Sequence, residues 1–150
     1  MGDDEKVSSR LAVIAIDAVE PQVIADFWCH VLDWQVVDQD AGGITIAAAD
    51  GSWPMIDVFP VPERKTVKNR LHFDLRADGL STAEELERLL NLGAYPVDVG
   101  QASDASWVVL ADPEGNEFCL LSPTCQELWD LNAFAAAGAW RAQRVRRLPG

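Results

Sequence analysis

The sequence is short of positive charge, of histidine and of cysteine, and each shortage removes a class of function. Twelve Lys and Arg stand against 24 Asp and Glu in 150 residues, a net charge of -12. A body this acidic repels phosphate at long range, which argues against partners such as nucleic acid or an anionic membrane surface. Only two histidines are present, His30 and His72, so a serine or cysteine nucleophile has little choice of base. His30 falls inside a helical repeat and reads as a helix-surface residue. Three cysteines, Cys29, Cys119 and Cys125, are odd in number and unrelated in spacing, which opposes a disulfide framework and fits a reducing compartment. Each reads most simply as a small buried hydrophobe. No apolar run approaches the roughly 18 residues of a membrane span, and the opening residues lack a signal-peptide pattern. These features together predict a soluble, cytoplasmic protein. Phosphate-cradling loops are missing too: Gly42-Gly43 stands alone in a hairpin region, with no Walker or GxGxxG pattern around it.

What is present is a patterned apolar half, 49% of the residues, enough for one domain or a pair of small repeats. LAVIAID, residues 11–17, reads as a buried strand. Pro21 then suits a first helical turn, and Ile24, Phe27, Trp28, Val31 and Leu32 recur with helical spacing. WQVVD, GGITIAA, a turn at Asp50-Gly51 and PMIDVFPV follow as three β-prone runs. Residues 60–69, PVPERKTVKN, hold two prolines and mixed charge without an apolar period, and read as a connector.

The second half repeats the order. NRLHFDLRADG, residues 69–79, opens it as a strand, with Leu71, Phe73 and Leu75 predicted on a core face and His72, Asp74 and Arg76 on the other. Ser81-Thr82-Ala83-Glu84 is a capping-box signature for a helix to about Leu92, closed by Gly93. Its predicted apolar stripe is Ala83, Leu86, Leu89 and Leu90, with a Glu84 to Arg88 pair on the wet side. AYPVDV, SWVVLA and EFCLL read as strands, and Asp112-Pro113-Glu114-Gly115 as a type I turn between the last two. A shift of 60 sets Leu11 on Leu71, Leu32 on Leu92 and Val37 on Val97, as expected of an internal duplication.

Past Pro123, Thr124-Cys125-Gln126-Glu127 suggests another capping box before one long helix. Leu128, Trp129, Leu131, Phe134 and Trp140 call for cover on it, from the domain or across a dimer interface. All acidic residues lie at or before Asp130, whereas Arg141, Arg144, Arg146 and Arg147 make a basic tail. That tail either docks on an acidic surface or remains a solvated terminus.

Strand alternation gathers polar groups on one side of each half: Asp57 opposite Ile56 and Val58, and Glu117 with Cys119 opposite Phe118 and Leu120. Two readings stay open. Either His72, Asp74, Arg76 and Glu117 form a satisfied polar network, or they line a small-molecule cleft walled by Ile14, Ile16, Trp53, Phe59 and Trp107.

ADFWCHVLDW, RLHFDLR, LLNLGAYPVDVGQ and WVVLADPEGNEF, in that order, resemble the vicinal oxygen chelate superfamily, specifically its glyoxalase-like domains of the glyoxalase/bleomycin-resistance/dioxygenase group, over residues 11 to about 122. The resemblance implies an α+β fold: two βαβββ modules, 11–62 and 69–122, form curved mixed sheets around a cleft, and 123–150 add a C-terminal helix. A homodimer is implied as well. Metal-dependent members take one ligand from the first and one from the last strand of each module. By position these fall on His72, on Asp57, on Cys119 where the family usually has Glu, and on Ala12 or Val13, neither of which can ligate. Such a mixed N, O, S set suits zinc or a similar divalent ion. Two functions follow. One is a metal-dependent lyase, isomerase or dioxygenase-like enzyme, with Glu117 or Asp74 moving a proton and Trp53, Phe59, Arg76 and Trp107 contacting the ligand. The other is a metal-free drug- or metabolite-binding protein that takes a cationic or aromatic ligand. The incomplete ligand set argues against a true lactoylglutathione lyase.

Overall fold

Pro21, whose ring fixes a helical φ and which has no N–H to leave unpaired, opens α1 (Pro21–Leu32). The predicted stripe is its buried face: Ile24, Phe27, Trp28 and Val31 are at most 8% exposed, and Phe27 meets Trp28 edge to face with ring centroids 5.1 Å apart. The computed structural model describes residues 6–97 and 106–135. It divides into two compact units, Met1–Arg64 and Lys65–Gly150.

In the first unit α1 packs on a sheet of β1 (Val13–Ala18), β2 (Gln35–Asp40), β3 (Gly43–Ala47) and β4 (Met55–Pro60), ordered β1-β4-β3-β2. β1 pairs with β4 in parallel and the other pairs are antiparallel. Register aligns Ile14, Ile56 and Ile46 in one row and Ile16, Val58 and Ile44 in another. Ile44, Ile46, Ile56 and Val58 are at most 5% exposed, and burial of each contributes about 2 kcal/mol. Ala15, Asp57 and Thr45 align on the opposite face. Ile14 and Ile16 therefore lie in the apolar rows opposite Asp57, and the expectation that they wall a cleft with it is corrected. Gly43 makes the β2–β3 hairpin possible: at φ +156° its backbone passes so close to β4 that a Cβ would stand 2.7 Å from the Val58 carbonyl oxygen.

The second unit repeats this topology with β5 (Asp74–Arg76), α2 (Thr82–Leu92), β6 (Tyr95–Pro96), β7 (Trp107–Ala111) and β8 (Glu117–Leu121), ordered β5-β8-β7-β6. Again the outer pair β5–β8 is parallel and the rest antiparallel. The fold is α+β, as expected. The opening strand is shorter than its alternation suggests, and Leu71, predicted in the core, is 90% exposed. The reason lies just upstream. Phe73 still accepts the Cys119 N–H through its carbonyl, but Asn69 is drawn to the side chains of Glu117 and Asn116, so the chain leaves the ladder before Leu71.

The capping box of α2 is present, with Ser81 Oγ accepting from the Glu84 N–H and the Glu84 carboxylate accepting from the Ser81 N–H. Gly93 closes the helix at φ 119°. Because Glu84 is committed to the cap, Arg88 pairs with Glu85 at 2.8 Å instead of Glu84. Leu89 is buried and Leu86 half-buried, whereas Ala83 and Leu90 are exposed, so the predicted stripe is narrower by two residues. The turn at Asp112 closes with the Gly115 N–H donating to the Asp112 carbonyl. Asp112 is fully buried, its Oδ1 accepting from the Glu114 and Asn116 N–H groups and its Oδ2 from Asn116 Nδ2.

α3 (Cys125–Ala135) begins with the expected reciprocal bonds between Thr124 and Glu127. Leu128 is buried, while Trp129 and Leu131 are 62% and 51% exposed on the single chain. The Phe134 side chain, Trp140, the arginine tail and residues 98–105 of the predicted AYPVDV region and its loop lie outside the described residues.

Candidate functional site

In the parallel pairing of β5 and β8, Asp74 stands opposite Cys119, and β7 brings Val109 opposite the same cysteine. Alternate residues share a face, so Arg76, Leu121 and Trp107 join this row's side of the sheet, as do Glu117 and Ala111. His72 lies two residues before Asp74, with Nδ1 3.2 Å from Asp74 Oδ1. The donor atoms of His72, Asp74 and Cys119 all lie within 4.8 Å of one another. Their exposure grades inward: the Asp74 and His72 side chains are 49% and 25% exposed, and Cys119 is 2% exposed.

Burial, and then the Asp74 carboxylate that accepts the thiol's hydrogen bond, push the Cys119 thiol up to about 12, a rise that Lys68 opposes only in part. At neutral pH it carries its proton and is a poor nucleophile. Imidazole, carboxylate and thiol are the donor types a zinc-like ion takes, and three of them leave a fourth position for water or substrate. The set fits such an ion, on condition that the thiol proton leaves when it binds.

Glu117, expected to move a proton, is already engaged. Its Oε1 lies 2.7 Å from Lys65 Nζ, its Oε2 accepts from the Asn69 N–H at 3.0 Å, and its side chain is 10% exposed. Burial alone would raise its pKa, but the hydrogen bonds from Lys65 and Asn69 outweigh that and hold it below the ordinary carboxylate value. Lys65 and Asn69 lie in the stretch that reads as a featureless connector. No local pattern announces a partner 52 residues away.

Arg76 donates through Nη1 to the Pro123 carbonyl and so ties β5 to the start of α3. Burial lowers the pKa of this guanidinium, and the neighbouring Cys125 and Asp74 partly restore it. Asp57 lies in the first unit, where its Oδ1 accepts from Thr45 Oγ1 at 2.6 Å. Asp57 pairs with Ala15 as Cys119 pairs with Asp74, and Val13 stands two residues before Ala15 as His72 stands two before Asp74. Trp53 is 49% and Phe59 38% exposed, and Trp107 is half-buried opposite Leu121. The structure thus brings His72, Asp74 and Cys119 together, with Asp74 as the carboxylate.

The duplicated topology and the order of its elements are those of the glyoxalase-like domain, and the chain belongs to this family, whose model matches residues 13–121. Solved structures of the vicinal oxygen chelate superfamily share the fold. The fosfomycin resistance protein FosX from Mesorhizobium loti is 14% identical with a TM-score of 0.59, covering 83% of this chain and 99% of its own. A glyoxalase/bleomycin resistance protein/dioxygenase family enzyme from Burkholderia phytofirmans PsJN is 18% identical with a TM-score of 0.53, covering 75% and 97%. TnmS3, an antibiotic binding protein from Streptomyces sp. CB03234, is 15% identical with a TM-score of 0.52, covering 80% and 100%. At these identities the likeness is one of fold. No curated protein matches the chain in sequence.

Proposed function

We propose that this protein is a small-molecule-binding member of the glyoxalase-like family that captures its ligand without transforming it. The state of Glu117 carries this reading. One of the two carboxylates expected to move a proton is paired with Lys65 and held by the Asn69 N–H, and its pKa is held below the ordinary carboxylate value, away from the range that general acid–base catalysis near neutral pH asks for. Cys119, protonated and buried, adds no nucleophile. The net charge of -12 favours a cationic ligand, and the antibiotic-binding description of TnmS3 is consistent with capture by this fold. A thermal-shift screen of cationic aromatic compounds in chelator-containing buffer tests it. Stabilisation by one chemical class is expected, and uniformly flat melting temperatures would overturn it.

A second reading is favoured by the 4.8 Å grouping of His72, Asp74 and Cys119. These residues would hold a zinc-like ion, which when bound supplies Lewis acidity to a substrate oxygen. Zinc titration with a pH indicator separates the two readings. Metal binding here releases the Cys119 proton, and the release disappears in Cys119→Ala.

A further inference from the structure

The guanidinium carbon of Arg10 lies 4.6 Å from the centroid of the Trp53 ring. Both residues face solvent, Trp53 at 49% exposure. Trp53 ends the Asp50-Gly51-Ser52-Trp53 turn between β3 and β4, in which the Gly51 N–H donates to the Ala48 carbonyl and the Ser52 N–H to Asp50 Oδ1. The bonds from Ser52 hold the Asp50 carboxylate below its ordinary pKa, so the turn keeps its negative charge. One short turn therefore presents an indole face and an ionised carboxylate. Both attract an organic cation, and Trp is the strongest of the aromatic faces for it.

Arg10 sits in a stretch, residues 6–12, with neither helix nor strand. The Ala12 carbonyl accepts from the Met55 N–H at 2.9 Å, which fixes the chain at the mouth of β1. Residues 6–11 take no part in the β1–β4 ladder, which begins at Val13 and Met55. We propose that Trp53 is the platform for the cationic group, ammonium or guanidinium, of the small molecule this protein binds, and that Arg10 is the chain's own occupant of that platform, displaced when the ligand arrives. This rests on the binding reading above and names its ligand class. A neutral aromatic is disfavoured because the ring face is already matched to a cation, and because the surrounding charge is negative.

The test follows the indole N–H resonance of Trp53, assigned by its loss in Trp53→Leu, during titration with benzyltrimethylammonium. A saturable shift is expected in the wild-type chain. Arg10→Ala should bind about threefold more tightly, the scale set by an exposed cation–π contact, and Arg10→Lys should lie between. Trp53→Leu keeps apolar bulk without the ring face and should not bind; circular dichroism confirms that it is folded, and Trp53→Ala serves as the second variant. The uncharged isostere neopentylbenzene should leave the resonance unmoved. An equal response to the isostere overturns the proposal, as does unchanged or weaker binding in Arg10→Ala, which would make Arg10 only a pin for its segment. Full thermal stabilisation of Trp53→Leu by a cationic compound also overturns it and leaves the binding reading standing, whereas no binding by any compound to wild type or Arg10→Ala overturns both.

Discussion

Lys65 Nζ stands 2.7 Å from Glu117 Oε1, a half-buried ion pair that joins the connector to β8. Lys65→Met leaves the carboxylate with the Asn69 N–H but no counter-charge. It should destabilise the chain by about 1–3 kcal/mol at neutral pH, the usual result of unpairing a buried polar group. The effect has a definite pH sense. A carboxylate whose folded pKa is depressed stabilises the fold above its unfolded value, about 4.3, and that contribution is lost as pH falls through the lower folded value. Urea unfolding at pH 7 and pH 3 should show the gap between wild type and Lys65→Met shrinking in acid; a constant gap would contradict the assignment.

Cys119 should react slowly. With its thiol pushed to about 12, alkylation at pH 8 should run about a thousandfold slower than in the unfolded chain, because the thiolate is the reacting form. Asp74→Asn removes the second cause and leaves burial, so the rate should rise without reaching the unfolded value. Peptide mapping after timed iodoacetamide exposure reads both. The same rise in pKa makes the neutral thiol a stabilising group below its unfolded value of about 8.5, a contribution lost as pH climbs toward the folded value.

Gly43→Ala places a methyl group 2.7 Å from the Val58 carbonyl oxygen at φ +156°. The Val58 carbonyl is backbone and cannot swing aside, so β3 and β4 must part. A loss of about 2 kcal/mol or more is expected, read by chemical denaturation, while Gly51→Ala, with nothing within 4 Å of its Cβ but a φ of +71°, should lose less.

Asp112→Ala removes a fully buried acceptor of the Glu114 and Asn116 N–H groups, in a turn whose other residues are half-buried. Destabilisation of about 1–3 kcal/mol is expected from the loss of that acceptor. Asp112→Asn retains an acceptor oxygen and should recover part of this. Equal melting temperatures for the two variants would show that the side-chain bonds carry little.

The elements were legible where local chemistry decides them. Pro21, the Ser81–Glu84 box, Gly93 and the Asp112 turn each act within one turn of chain, and all took their expected places. Alternation overextends the strand to Leu71 because it describes a ladder already formed, whereas the side chains of Glu117 and Asn116 capture Asn69 and end the ladder early. The site divides in the same way. His72, Asp74 and Cys119 were visible as individual polar positions, but their grouping depends on Asp74 standing opposite Cys119, and register is a property of pairing that no single strand contains. The Lys65–Glu117 pair, 52 residues apart, left no trace in the sequence.

Ala15, Asp57 and Thr45 align across β1, β4 and β3 as Asp74, Cys119 and Val109 align across β5, β8 and β7. The molecule thereby carries its own control experiment. Backbone groups make the ladders, so a triplet of side chains transplanted from one sheet to the matching addresses of the other tests what those side chains do apart from the scaffold that holds them. Whatever property moves with Asp74 and Cys119 belongs to the residues, and whatever stays behind belongs to their surroundings.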